Sequence, residues 1–431
     1  MLLTLFAACV TGGPADTDDT DVADGVAWYG DVEPIVTESC TSCHVEGGAG
    51  GFALDSFATA APMAEAIAAA VESGRMPPWK AEPGCTEYRD DPSLSAAEIA
   101  RLRQWADAGA PEGDVSHSVK VAPPDSTLDR VDFTVPMKEA YAPDLTGTDD
   151  YRCFLLDWPA EDNTYVTGYR IAPGNAAVVH HVIAFIAPPS QMEEYAALDE
   201  AEPGSGWTCF GGPGLADQQD AEWLGAWAPG GGDGAFPNGT GIKMKAGSGV
   251  VLQVHYNTAL GDAGDDLTSV EFMTADDVET AATIQPWTDA SWLDGTGMDI
   301  PAGATGVEHG FDLVNNFDTD ITIHTSSLHM HQMGRTARLE MSEGNQTDCM
   351  LDIADWDFNW QRTYVFAEKK VWEPGETLSL SCTWDNPTDK DANWGEGTGD
   401  EMCLGTMLWS YRGDAPSAAR VRSGPGFADR V

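Results

Sequence analysis

The chain has 431 residues, of which 42% are hydrophobic, so it is long enough for two or three packed domains and too apolar to be a disordered chain. Its 70 Asp+Glu against 22 Lys+Arg give a formal charge of −48. A surface this negative repels nucleic acid and anionic lipid, so neither is an expected partner.

In chain order, "MLLTLFAAC" is a short apolar run ending in small residues before Cys9, without a positive n-region. It resembles the end of a bacterial lipoprotein signal, and Cys9 is then the lipid-anchored residue and the sole membrane attachment. "ADTDDTDVADG" follows as an acidic tether too polar to fold, closing a first part at residues 1–24. No apolar run reaches the ~18 residues of a membrane span. With nine cysteines, these features predict an extracytoplasmic protein of a bacterial cell envelope.

Residues 25–115 read as helical. "APMAEAIAAAVESG" (61–74) is alanine-rich, and "LSAAEIARLRQWADAG" (94–109) has Ser95 and Glu98 as a capping box, an apolar stripe at Ile99, Leu102, Trp105 and Ala106, and Gly109 as a stop. Ahead of them "CTSCH" presents Cys40, Cys43 and His44, the spacing at which two thiols bond the vinyl groups of heme c and the next imidazole ligates its iron. A second axial ligand is expected on a loop after a helix, where "SGRMPPW" offers Met76; Met63 competes but sits inside a helical run. The helix from Ser95 resembles the terminal helix of class I cytochromes c, which makes residues 25–115 an expected small all-α domain of that kind.

After the linker "APPDSTLD" (122–129) the period changes. "TYVTGYRI", "AVVHHVIAFI", "GVVLQVHYNT", "TDITIHTSSLHMH", "ETLSLSCTW" and "MCLGTMLWSY" are short strand-like runs between Gly, Pro, Asn and Asp clusters. They predict antiparallel all-β sandwiches, divided near "IQPWTD" into residues 125–285 and 286–431.

Five histidines stand out in these runs. His180 and His181 are adjacent in an apolar strand, where neighbours point to opposite faces, so binding one ion together requires a strand end or a bulge. His255 lies in another strand, and three imidazoles suit copper or zinc. His329 and His331 share a strand face and leave room for a softer third ligand, with Met333 nearest in sequence and Met402 in "GDEMCLG" the other candidate. His117, His309 and His324 lack such a setting and read as structural.

Taken in order, "HH…VHY…HMHQMG…EMC" resembles the copper type II, ascorbate-dependent monooxygenases, the family of peptidylglycine α-hydroxylating and dopamine β-monooxygenases. The resemblance spans roughly residues 130–420. It implies two jelly-roll-like domains, each with one copper ion. His180, His181 and His255 would hold the electron-transfer copper; His329, His331 and Met402 would hold the catalytic, O2-binding copper, with the electron crossing a solvent gap between them. It also implies a Cys382–Cys403 disulfide; Cys153 and Cys209 are a weaker candidate pair, and Cys85 and Cys349 stay unassigned. The peptide-hydroxylating members carry an arginine and a tyrosine for the substrate carboxylate where this chain has Ser327 and Thr406, so peptide amidation is not expected.

The implied activity is hydroxylation of a C–H bond of a small molecule with O2. Electrons would come from the chain's own heme, first to the three-histidine copper, or from an external donor such as ascorbate or a redox protein. A copper- and heme-binding electron-transfer or metal-handling lipoprotein without hydroxylase activity is the alternative; substrate-dependent O2 consumption separates the two. A carbohydrate- or partner-binding pair of sandwiches would leave the ordered histidines unexplained.

Overall fold

The computed structural model describes residues 25–411, except 47–49, 90, 120–127, 145, 148, 210, 216–220, 229–230, 232–233, 258–263, 294, 359, 396 and 398. Cys9, the acidic tether and most of the linker therefore lie outside the described residues.

Near the N-terminus run α1 (Glu33–Ser39), α2 (Phe57–Ala60), α3 (Ala64–Glu72) and α4 (Ala96–Asp107). The capping box of α4 forms as its sequence requires: Ser95 Oγ accepts from Glu98 N at 3.3 Å and the Glu98 carboxylate accepts from Ser95 N at 2.8 Å. Gly109, at φ +81°, takes the left-handed turn that ends the helix. Trp28, Val32, Ile67, Val71, Leu102 and Trp105 bury their apolar faces together.

The expected separate all-α cytochrome c domain is corrected by this structure, which is mostly β with short helices; the longest, α4, has 12 residues. Between α3 and α4 the Gly- and Pro-interrupted stretch 77–93 cannot continue a helix, and its backbone groups need partners elsewhere. They find them on the C-terminal strands, given below. Glu82 N donates to Asp352 O at 2.8 Å, Arg89 N to Val365 O at 2.8 Å, and Ala367 N to Glu87 O at 2.9 Å. Cys85 is disulfide-bonded to Cys349. Ala81 lies inside the C-terminal core, and Trp79 and Tyr88 pack ring to ring on Tyr364 and Phe366.

The strands are β1 (Phe133–Pro136), β2 (Asp149–Asp157), β3 (Thr164–Ala172), β4 (Val179–Ala187), then helix α5 (Met192–Ala201), β5 (Trp207–Thr208), β6 (Trp223–Trp227), β7 (Gly234–Ala235), β8 (Thr240–Met244), β9 (Gly249–Asn257), β10 (Ser269–Ala275) and β11 (Thr280–Trp287). The C-terminal part adds β12 (Val307–Val314), β13 (Ile321–His329), β14 (Gly334–Glu343), β15 (Gln346–Ile353), β16 (Tyr364–Trp372), β17 (Thr377–Trp384) and β18 (Leu404–Tyr411). Alternation is clear in β17, whose residues switch between half-buried and buried along its whole length.

The pairing also departs from two self-contained jelly-roll-like sandwiches. Among the described residues, one fourteen-stranded sheet runs through both halves, and β12, β17, β14 and β15 form a second, four-stranded sheet. The join is β11, which pairs antiparallel with β18 and β6 and parallel with β8. Pro286, a break signal in the sequence, sits inside β11 opposite Thr406; beyond Ile284 the strand pairs with β18 alone, so a missing N–H is tolerated. Separate cores lie under each half, one around Val182, Leu252, Val254 and Phe272, the other around Leu339, Trp372, Leu380 and Trp384. Cys382–Cys403 lies within the second core, while Cys153–Cys209 sits in a smaller cluster with Phe185, Tyr195 and Trp207.

Candidate metal centre

His180 and His181 open β4, and the β4–β9 register shifts between Val179 and His181. A regular strand would send the two rings to opposite faces. The shift lets both converge with His255, which lies directly across from His181. His181 Nδ1 is 3.3 Å from His180 Nδ1 and 3.2 Å from His255 Nδ1, and ligating atoms of the three rings all fall within 4.8 Å of one another. Tetrahedral ligation at about 2.0–2.1 Å spaces nitrogens by roughly 3.3 Å. One shared proton cannot satisfy three lone pairs, whereas a cation can, so this donor set fits a metal.

Asp149 decides the tautomer of His255. Its carboxylate accepts from Nε2–H at 2.9 Å, which leaves the Nδ1 lone pair facing His181. Tyr151 stacks flat on the other face of the His255 ring at 4.2 Å. Burial, followed by the neighbouring imidazoles, lowers His180 to about 4 and His181 well below the ordinary range, so both rings are held in the neutral, ligating form.

His329 ends β13 and His331 follows it, their ring centroids 5.1 Å apart. His329 Nδ1 hydrogen-bonds Gln361 Oε1, and His331 Nδ1 donates to Asp400 O at 3.0 Å, so each ring keeps its Nε2 for another partner. Burial lowers His329 to about 3 and His331 to about 4. Next to them Glu401 is fully buried, and its carboxylate accepts from His331 N at 2.9 Å, Met333 N at 2.6 Å and Trp384 Nε1 at 2.8 Å. Burial pushes this carboxyl up to about 7. Glu401 thereby binds the His331–Met333 turn to the stretch that carries Met402, itself buried. Of the other methionines, Met333 packs half-buried against the C-terminal core and Met407 lies fully inside it.

The two sets share more than a sheet path through β4, β6, β11, β18 and β13. Phe358 stacks on His180 at 4.8 Å and meets His331 edge-on at 6.0 Å. Ser327 and Thr406 lie opposite each other on β13 and β18 and hydrogen-bond through their hydroxyls, which leaves no cationic side chain at these two positions. His324 bonds Ser410 Oγ at 2.7 Å and His309 bonds Asp299 O at 2.9 Å, while His117 is exposed.

Cys40 follows α1, and His44 N closes a turn onto Cys40 O at 2.9 Å. Among the described cysteines, Cys40 and Cys43 are those outside disulfides. His44 is buried, and its Nδ1 hydrogen-bonds Phe52 O at 3.2 Å, leaving Nε2 available. A Cβ on Gly50 would fall 2.4 Å from His44 Nδ1, so the loop passes this close only as glycine. Met76 is half-buried on the turn after α3, its amide on Ala70 O at 3.2 Å.

Sequence reasoning missed Asp149, Phe358, Gln361 and Glu401. Glu401 carried a usable signal, because it directly precedes Met402. Asp149 carried none among 70 acidic residues.

Similarity to solved structures is slight. Glycosylasparaginase PNGase F from Flavobacterium meningosepticum is 12% identical over 65% of this chain and 96% of that chain, with a TM-score of 0.28. Recombinant peptide:N-glycanase F is 11% identical over 66% and 97%, with a TM-score of 0.31. The family comparison is informative. Residues 133–263 match the N-terminal domain of copper type II ascorbate-dependent monooxygenases and contain His180, His181 and His255. Residues 312–416 match the C-terminal domain of the same family and contain His329, His331 and Met402. Matched through both of its domains over more than half its length, the chain belongs to the copper type II, ascorbate-dependent monooxygenase family.

Proposed function

We propose that this protein hydroxylates a C–H bond of a small molecule with O2, using two copper sites and electrons from a heme c on its own chain or from an external reductant such as ascorbate or a redox protein. The observation that carries the reading is the convergence of the His180, His181 and His255 Nδ1 atoms, with the His255 tautomer fixed by Asp149. His180, His181 and His255 would hold the electron-transfer copper. His329, His331 and Met402 would hold the O2-side copper, and a thioether beside two imidazoles would favour the Cu(I) form. Bound copper supplies the one-electron chemistry and O2 activation that C–H hydroxylation needs.

The protein's own groups prepare that chemistry. Burial keeps His180, His181, His329 and His331 neutral, Gln361 and Asp400 orient the rings of His329 and His331, and Glu401 fixes the backbone between them and Met402. A carboxylate substrate is disfavoured because Ser327 and Thr406 satisfy each other and offer it no cation. Cys40 and Cys43 would hold a heme through thioethers, with His44 and Met76 as candidate ligands to its iron, and such a heme would supply one-electron chemistry. A covalent heme supplies an electron store at high effective concentration. An extracytoplasmic place, with a lipid anchor at Cys9, agrees with the three disulfides.

The test uses full-length protein from a host competent in heme attachment. We expect two coppers per chain, a covalent heme by pyridine hemochrome, and O2 uptake that depends on a small C–H substrate. Full copper loading with no O2 uptake across such substrates would instead leave the electron-transfer or metal-handling role.

A further inference from the structure

We propose that Trp79, which lies outside both matched domains, is a positioning residue for His329 and acts on it through Gln361. Gln361 sits on the connection between the end of β15 at Ile353 and the start of β16 at Tyr364, where strand pairing does not set the course of the backbone. Its side chain nevertheless meets the site directly. His329 Nδ1 donates to Gln361 Oε1, which leaves Nε2 of that ring for a metal. A partner carried on an irregular connection holds a ring in place only if the connection is itself ordered, because otherwise the ordering cost falls on the hydrogen bond.

The Trp79 indole supplies that order at the end of the connection nearest Gln361. Its ring lies under the Arg362 guanidinium at 5.0 Å and meets the Tyr364 ring edge-on at 4.9 Å, so it grips the residue directly after Gln361 and the first residue of β16. Cation–π and edge-to-face contacts of this kind add to what the buried area contributes. Tyr364 is buried, and the Tyr88 ring lies against it at 5.3 Å. Trp79 is itself fixed: its N–H donates to Pro77 O at 2.8 Å, the next residue, Lys80, pairs with Asp355 at 2.8 Å, and Ala81 lies within the C-terminal core. The N-terminal part of the chain thereby supports a ligand of the O2-side set at one remove, from Trp79 to Arg362, along the chain to Gln361, and from Gln361 to the His329 ring.

This inference rests on the reading of His329, His331 and Met402 as a copper site. The experiment is competition between full-length protein loaded with Cu(I) and a chromogenic Cu(I) chelator, with the three-histidine site identified by its loss in His181→Ala. Gln361→Ala should weaken copper at the His329 set by about 10–100-fold, the usual effect of removing a ligand's outer partner. Trp79→Ala should weaken the same site several-fold and leave the three-histidine site at native affinity. The double variant should be no weaker than Gln361→Ala alone, because both changes act through one bond. Trp79→Phe, which keeps an aromatic face for Arg362, should restore most of the affinity; Trp79→Leu replaces the alanine variant should that not fold. The positioning role is overturned if the Trp79 variant or Gln361→Ala binds copper at the His329 set as tightly as the native protein, if the two losses add, or if both sites weaken equally. A native protein that holds copper at the three-histidine site and none at the other overturns the reading of the second site, and this inference with it, before any Trp79 variant is made.

Discussion

At the scale of single residues, His255 shows how a neighbour turns an imidazole into a ligand. Asp149 holds its Nε2–H at 2.9 Å, and that bond settles which nitrogen has the free lone pair. Such outer partners are typically worth about 10–100-fold in metal affinity. Asp149→Ala should therefore weaken copper at the three-histidine set by that factor while leaving the second site loaded; competition with a Cu(I) chelator measures it, and an unchanged affinity would remove Asp149 from the site. His324 acts chiefly through burial. Burial, then the charges of Lys369 and Arg89, lowers it to about 4, against about 6.5 for an unfolded histidine. The folded value is the lower one, so unfolding takes up a proton between these limits. The associated stability is fully present above pH about 6.5 and is lost as pH falls through about 4, a loss of about 3 kcal/mol. Urea titrations of native protein and His324→Gln at pH 7 and 4.5 should show the smaller decline in the variant.

Among elements, the shifted register at the start of β4 and the turn after β13 do the positioning. The adjacent pair His180–His181 required an irregular strand, and the shift lies between Val179 and His181. The i, i+2 pair His329–His331 spans the last residue of β13 and the turn beyond, and that turn keeps its shape because Glu401 accepts two of its amides. Glu401→Ala would leave these amides and the Trp384 indole N–H without partners inside the core. At roughly 1–3 kcal/mol per buried unsatisfied donor, the variant should lose about 3 kcal/mol or more, and copper at His329 and His331 with it. Denaturation and copper counting together check this; a variant with native stability would mean that water replaces the carboxylate.

For the molecule as a whole, the decisive feature is that the segment after α3 is fastened to the C-terminal strands. Cys85–Cys349 closes a separation of 264 residues, and a bridge of this type typically contributes about 2–4 kcal/mol. Replacing both cysteines by serine should accelerate amide hydrogen exchange at residues 82–89 far more than in β13 or β18; equal protection in both proteins would show that the hydrogen bonds and aromatic contacts suffice. The charge of −48 also acts globally, since self-repulsion opposes compactness. Raising NaCl from low concentration to about 0.15 M shortens the screening length to about 8 Å and should raise the melting temperature.

Chemistry that depends on residue type and short spacing was legible in the sequence. The clustered histidines and the α4 capping box were identifiable there, because spacing within a strand and a cap's three-residue reach are local properties. Only the tertiary structure decided the rest. It paired Cys85 with Cys349, ran β11 through the expected boundary at Pro286, and drew residues 79–89 out of what the sequence presented as a helical domain. It also chose Asp149, Phe358, Gln361 and Glu401 from among many equivalent residues. Their roles come from hydrogen bonds and ring contacts between positions as far apart as Asp149 and His255 or Phe358 and His180, and no local period encodes a contact of that kind.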